Sequence, residues 1–484
     1  MPTATDYIRI LPEIVLSVWG MAIMFVESLL PEDRSRKDLG IFAAFGAVAA
    51  IAATVYQAQP QFAGFGFNHV LRVDHFSIFF HLVVLLVTLA TILMSLDYLP
   101  LQKIDFGEYY ALVILGAVGM CLMSSAVELV LIFIALEISS IASYILSGFR
   151  RSAAVSTESA LKYFLLGSFA TGFFLYGIAL LYGATGSTNI FDIALILGKA
   201  NHVEALAYLA VALIFTGLAF KVACAPFQIW TPDVYEGAPS PVVALMSTAP
   251  KAATFAVLIR IVFEAASPNL FWVIWVAAAL SMSVGNVGAL LQSNVKRMLA
   301  YSSIAHAGYL MVAFASASNR DLAISSAMFY SAAYAAMNLG AFAVVTQMAG
   351  SGEGYLQMDD YSGLGKRSPV LAAVFTFFLL SLIGIPITGG FFAKFYIFST
   401  ALRTRLIWLT LIGLVNSGVG SYYYLRLIVR MYMYEPRAEI PVPPVRLGMG
   451  LAIAISLIAT LWLGVLPNAV LHYTQGMPSA IAVR

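Results

Sequence analysis

Apolar stretches long enough to cross the hydrocarbon of a bilayer as an α-helix, about 18 to 25 residues each, recur from one end of this chain to the other. Fourteen are read: residues 10–30, 39–56, 76–96, 110–125, 129–146, 161–182, 206–225, 242–263, 271–291, 298–316, 322–348, 370–395, 406–431 and 447–466. In lipid every backbone amide must find its partner within its own element, so each stretch is predicted to be a helix. The longest polar gaps, 350–367 and 434–446, contain Gly or Pro and are too small to carry a core. The expected fold is all-α: a polytopic membrane protein with about 14 transmembrane helices forming a single transmembrane domain over residues 1–484. The first run is followed by charge and no small-residue cleavage site, so it is expected to stay as a helix.

Composition agrees. The chain is 61% hydrophobic and 10% charged, against roughly 25% charged residues in a soluble domain. Cys121 and Cys224 stand alone in separate apolar runs, which leaves no pattern for zinc, an iron–sulfur cluster or a disulfide framework, and redox chemistry is expected elsewhere. A net charge of +2 with no basic run argues against nucleic acid as a partner. Lys and Arg accumulate in cytoplasmic loops. Fifteen fall on one side, among them Arg34, Arg150, Arg151, Lys296 and Arg297, and eight on the other, among them Arg9, Arg72 and Arg260, which predicts both termini outside.

Three of the 26 basic residues belong to no loop: Lys221, Lys251 and Lys394 each sit inside an apolar run. A charge at mid-span costs on the order of 3 kcal/mol even on lenient insertion scales, so it normally faces a partner or a hydrated cavity and serves a pathway. Lys221 is followed by Pro226, which removes a backbone donor and frees carbonyls just beyond the charge. Lys251 directly follows Pro250, and Lys394 follows Gly384-Ile-Pro386 and Gly389-Gly390, a cluster able to break the helix. The plainer alternative for each is a lysine that snorkels from near a span end. Buried lysine suits proton relay, because an amine taken out of water releases its proton more readily, whereas arginine does not.

Glu137 lies mid-span in Leu129-Val-Leu-Ile-Phe-Ile-Ala-Leu-Glu137. A buried carboxylate near an ammonium stays ionised and lowers the cost of both, and Lys221 is its candidate partner; a structural glutamate bonded to nearby backbone is the alternative. His306, in the tenth run, could bridge the lysines, since imidazole both donates and accepts, or could simply pack. His81, in the third run, has no charged neighbour in sequence and is expected to be structural.

With these residues in view, Pro226-Phe-Gln-Ile-Trp-Thr-Pro-Asp-Val-Tyr-Glu-Gly-Ala-Pro239 resembles the proton-translocating antiporter-like subunits of complex I, in their N-type form. Ala160-Leu-Lys-Tyr-Phe-Leu-Leu-Gly167, Asn294-Val-Lys-Arg-Met-Leu-Ala-Tyr-Ser-Ser303 and Gly384-Ile-Pro-Ile-Thr-Gly-Gly-Phe-Phe-Ala-Lys-Phe395 agree, so the likeness covers nearly the whole chain. It implies Glu137 and Lys221 as an ion pair, Lys251 as a central lysine, and Lys394 on a broken twelfth helix, where an M-type relative would have glutamate. It also implies two inverted five-helix repeats, about 110–263 and about 271–431, with helices 7 and 12 discontinuous; the self-similarity of Ile138–Tyr144 and Ser302–Tyr309 is faint. No long lateral helix follows the fourteenth run, unlike the L-type. The family commonly has histidine where this chain has Gln228, so a proton step there would run through water or be dispensable.

The resemblance further implies a proton-transfer role for Glu137, Lys221, Lys251, His306 and Lys394, driven remotely by quinone reduction in a bacterial inner-membrane NADH:quinone oxidoreductase. No cofactor is expected in this chain; NADH, FMN, iron–sulfur clusters and quinone would belong to other subunits. Expected partners are the M-type subunit, the small K-, J- and A-type subunits and membrane lipids. Rival readings are a cation/proton antiporter subunit, a structural subunit whose lysines only pair helices, and a substrate carrier, the last lacking any polar pocket beyond the charged line.

Overall fold

A computed structural model describes residues 2–31, 34–199, 205–265, 270–436 and 442–475, and a helix lies at each of the fourteen apolar stretches. Eleven helices among the described residues are long and apolar enough to cross a membrane by length and composition, and Ala205–Lys221 and Pro369–Ile383 are shorter apolar helices. A two-stranded antiparallel hairpin, Gly64–Gly66 with Leu71–Val73, and the helix Ile190–Lys199 add to the connections.

The helices sort by depth. The most apolar 18 residues of Ser240–Phe263 are all buried, against 28% of those of Leu11–Leu29. Val295–Ala315 and Ala317–Met348 share the interior with Ser240–Phe263, each with 94% of its most apolar 18 residues buried. Peripheral helices turn Phe25, Phe45, Phe169, Trp272 and Trp408 outward, an apolar surface suited to lipid. Small residues set the closest approach: a Cβ on Gly285 would stand 2.4 Å from Ala305 N, and one on Gly308 2.6 Å from Met282 N, so Phe271–Leu290 and Val295–Ala315 meet backbone to backbone.

Three central helices are interrupted. Ala205–Lys221 stops at the lysine itself, and a loop with Ala223 at φ +60° leads to the short helix Thr231–Gly237. The run at 370–395 divides into Pro369–Ile383 and Gly389–Arg403, with Gly384 at φ +95° and Ile387 at φ +75° between them. The run at 242–263, read as one helix, is also broken, into Ser240–Met246 and Ala249–Arg260. Pro250 is the reason: it has no N–H for the Met246 carbonyl and its ring crowds that turn, and Ser247 and Thr248 hydroxyls bond back to Ala244 O.

Two residues assigned to loops by the charge count are corrected. Lys296 is fully buried and joined to Glu353, and Arg260 is buried against Asp74 at 3.2 Å and the Phe76 ring at 4.6 Å. Each has its compensating carboxylate in a distant segment, which a count along the chain does not detect.

Candidate functional site

All three lysines of the apolar runs lie at the helix breaks, deep inside the bundle. Lys251 is 3% exposed, one turn after the break, and its Nζ donates to Ser303 Oγ and, at 3.3 Å, to Ser303 O. His306 sits one turn further along Val295–Ala315, its Nδ1 2.7 Å from the Tyr330 hydroxyl and its ring against Tyr309 and Tyr334. Lys251 and His306 share the wall of a small cavity of about 10 Å³, with Thr248, Ser303, Tyr330 and Tyr334, room for about one water molecule.

Lys394 reaches across the twelfth break. Its Nζ donates to Leu382 O at 3.1 Å, Ile383 O at 2.8 Å and Ser417 Oγ at 2.9 Å, and stands 5.0 Å from the centre of the Tyr309 ring. The first two are carbonyls left open at the end of Pro369–Ile383, where the helix dipole favours a cation. The break is dictated by sequence: a Cβ on Gly390 would lie 1.9 Å from Ser381 O, so only glycine lets the two half-helices meet. Tyr309 lies beside both His306 and Lys394, its ring centre 5.7 Å from that of the imidazole and 5.0 Å from the amine.

Lys221 is 4% exposed, donates to the Tyr163 hydroxyl at 3.3 Å, and stands 5.1 Å from the centres of the Tyr144 and Tyr163 rings. Glu137 is close enough to act on Lys221 electrostatically, yet the two form no ion pair within 4 Å among the described residues. Glu137 Oε1 is buried without a hydrogen bond, and Tyr144, two turns on along the same helix, is the aromatic beside the lysine. Gln228 lies half-buried in the following loop, its Oε1 without a protein partner.

Lys221 and Lys251 do not touch; aromatic groups join them. Tyr163 stacks on Trp230 at 4.5 Å, Trp230 meets Tyr235 at 6.2 Å, and the Tyr235 and Tyr334 hydroxyls approach Ser303 without completing a hydrogen bond. Sequence reading missed these residues, because Ser and Tyr are common in packed membrane helices and carry no signal until tertiary contact aligns them.

A second charged cluster also escaped it. Glu353 Oε2 accepts from Lys296 Nζ at 2.9 Å and Arg150 Nη1 at 3.0 Å, while Oε1 accepts from the Tyr98 hydroxyl at 2.6 Å and Ser240 N at 2.7 Å. The acids of the Trp230-to-Glu236 motif also lie apart from the lysine line: Asp233 pairs with Lys162 and Arg297, both at 2.8 Å, and Glu236 with Arg297 at 2.7 Å. They tie the seventh helix's continuation to its neighbours at the face rich in basic loops. Glu13 is a further omission: it stands in the first turn of Leu11–Leu29, near the start of the first apolar run, where the mid-span rule that singled out Glu137 does not raise it, yet it is 4% exposed. His81, expected to be structural, lies 3.4 Å from it.

Residues 126–420 match the family model described as NADH:quinone oxidoreductase/Mrp antiporter, TM. The chain is 59% identical over 473 residues to NADH-quinone oxidoreductase subunit N 2 of Koribacter versatilis, which covers 97% of this chain and 96% of that one. It is 48% identical to subunit N 1 of Solibacter usitatus, over 97% and 96% of the two chains. A chain of respiratory complex I from Thermus thermophilus superimposes with a TM-score of 0.82 at 35% identity, over 96% of this chain and 100% of that one. A chain of the Mrp complex from Dietzia superimposes at 0.83, but at 22% identity, a likeness of fold alone, over 98% and 96%. A polytopic bundle broken at three buried lysines, matched end to end by these relatives, belongs to the NADH-quinone oxidoreductase subunit N family.

Proposed function

We propose that this chain is a proton-translocating membrane subunit of an NADH:quinone oxidoreductase, and that Glu137, Lys221, Lys251, His306 and Lys394 carry the proton. One observation supports this above all. Among the described residues, Lys221, Lys251 and Lys394 are buried without an ion pair, held only by hydroxyls, carbonyls and aromatic faces. Lys296, by contrast, is buried in a fully satisfied pair with Glu353. A lysine that merely joins helices needs such a carboxylate, whereas one held by neutral groups can give up its proton without leaving a charge unmatched. Membership of subunit N, at 59% identity to the Koribacter subunit against 22% to the Dietzia Mrp chain, favours this reading over a separate cation/proton antiporter.

In this reading a proton enters from the cytoplasmic side, passes along Lys221, Lys251, His306 and Lys394, and leaves outside. Buried polar atoms without a protein partner, on Glu137, Tyr144, Gln228, Tyr235, Tyr334 and Asn338, accompany this path, and buried polar groups normally find ordered water. Water beside Gln228 would replace the family's imidazole. Charge movement in adjoining subunits would shift Glu137 relative to Lys221 and change the hold of Lys221 on its proton. NADH, FMN, iron–sulfur clusters and quinone would lie in other subunits. The partners would be the M-type and the small K-, J- and A-type subunits with surrounding lipid, in a bacterial inner membrane with both termini on the periplasmic side. The test is Lys221→Ala and Glu137→Ala in the assembled complex, each expected to reduce proton pumping and the coupled quinone reductase rate strongly. Normal pumping by either assembled variant would refute the relay.

A further inference from the structure

Two ionisable side chains lie within the bundle away from the lysine line. Glu13 is on Leu11–Leu29 and His81 is near the second turn of His75–Leu101; Glu13 is 4% exposed and His81 fully buried. His81 Nε2 stands 3.4 Å from Glu13 Oε1 and 2.9 Å from Cys121 O on the neighbouring helix Gly107–Ser125. Among the described residues neither Glu13 oxygen makes a hydrogen bond, and His81 Nδ1 has no partner. The groups that face the pair from the surrounding elements are the Cys121 thiol and the Asp74–Arg260 ion pair, with Arg72 beside Asp74. Asp74 caps the His75–Leu101 helix seven residues before His81, about 10 Å along the helix. Asp74 and Arg260 satisfy each other, so the charge of Arg260 is committed there.

A carboxylate with no hydrogen bond and no committed cation is strongly disfavoured in a low dielectric, whereas a carboxylic acid, or a carboxylate facing an imidazolium, is tolerated. Both tolerated forms are open here. We propose that Glu13 and His81 form a second proton-binding site, between the first, third and fourth long helices, that holds one exchangeable proton. His81 Nε2 carries the hydrogen it donates to Cys121 O, so in the exchange the O–H bond of the Glu13 acid breaks and, relayed by a bridging water, an N–H bond forms on Nδ1; two neutral groups become carboxylate and imidazolium with no change in total charge. Release of that proton to solvent leaves the carboxylate beside a neutral ring, a form that requires water to reach the two bare Glu13 oxygens, and the pair thereby binds or frees one proton as a unit.

The test is pH-difference infrared spectroscopy of the full chain in vesicles of phosphatidylcholine and phosphatidylglycerol. The spectrum is expected to contain a carboxylic acid carbonyl band that titrates within about pH 5 to 8. Glu13→Gln should abolish it, Glu13→Asp should keep it with a moved midpoint, and His81→Gln should move the midpoint with Glu13 intact. A Glu13→Gln difference spectrum superimposable on the parent's would overturn the proposal. Should that variant not fold, carbodiimide labelling of the unaltered chain decides: Glu13 modified on the acid side of the midpoint and spared on the alkaline side supports the site, and no modification at any pH overturns it. Neither measurement involves turnover, so the outcome is separate from the fate of the lysine-line reading.

Discussion

Glutamine in place of Glu353 tests how the basic loops are held to the bundle. Both oxygens of the carboxylate are committed, Oε2 to Lys296 and Arg150 and Oε1 to Tyr98 and Ser240. Glutamine keeps the shape but removes the charge and turns one acceptor into a donor, which then faces donors on whichever side it lies. Lys296 has no exposed side-chain surface and keeps only the Ala238 carbonyl, while the Arg150 side chain, 15% exposed, can turn to water. The loss therefore falls on Lys296, and breaking one partner of a buried pair costs about 3–5 kcal/mol. Adding Lys296→Met removes the orphaned cation, so the double variant should recover about 2 kcal/mol relative to the sum of the single changes. Equilibrium unfolding of the chain in mixed micelles measures both quantities. A loss below about 1 kcal/mol for Glu353→Gln, or strict additivity in the double variant, would refute the reasoning.

Lys251→Arg keeps the charge but places there a group that does not deprotonate; it is expected to stop pumping as fully as Lys251→Met, read by dye quenching in vesicles, and pumping by the arginine variant would remove Lys251 from the relay. Gly390→Ala puts a carbon 1.9 Å from Ser381 O, so it should force the half-helices apart, pull Lys394 from the Leu382 and Ile383 carbonyls, and destabilise the chain by about 1–3 kcal/mol; an unchanged unfolding midpoint would contradict this. Burial pushes the Glu353 carboxyl up, but the Lys296 charge, the Ser240 and Tyr98 hydrogen bonds and Arg150 outweigh it and hold the group below its ordinary value of 4.5. Its contribution to stability is thus present above that value and lost as pH falls through the lower folded-state value. Glu353→Gln should flatten the acid limb of the stability–pH curve, and an unchanged limb would show that Glu353 contributes nothing there.

Much of the site could be read along the chain because lipid makes charge conspicuous. Lys221, Lys251, Lys394 and Glu137 stand out in apolar runs, and Gly384, Pro386 and Gly390 announce the twelfth break beside its lysine. Glu13, in the first turn of its helix, does not stand out in this way, and only its burial reveals it. The break at Ser247 and Thr248 was half legible in Pro250. What the chain could not reveal were relations between distant segments. Lys296 and Arg260 looked like loop residues until Glu353 and Asp74 closed on them, His81 looked isolated until Glu13 packed beside it, and Glu137 forms no ion pair with Lys221 among the described residues.

The sequence by itself determined that this protein lives in lipid, where its helices run and which lysines sit inside them, because hydrophobic length and the cost of a buried charge are local properties. Only the tertiary structure decided which of the buried cations are matched by a carboxylate and which are held by hydroxyls, carbonyls and rings. That distinction depends on groups from 11 to 186 residues apart in sequence meeting within a few ångströms, a distance over which the low dielectric makes each partner's identity decisive.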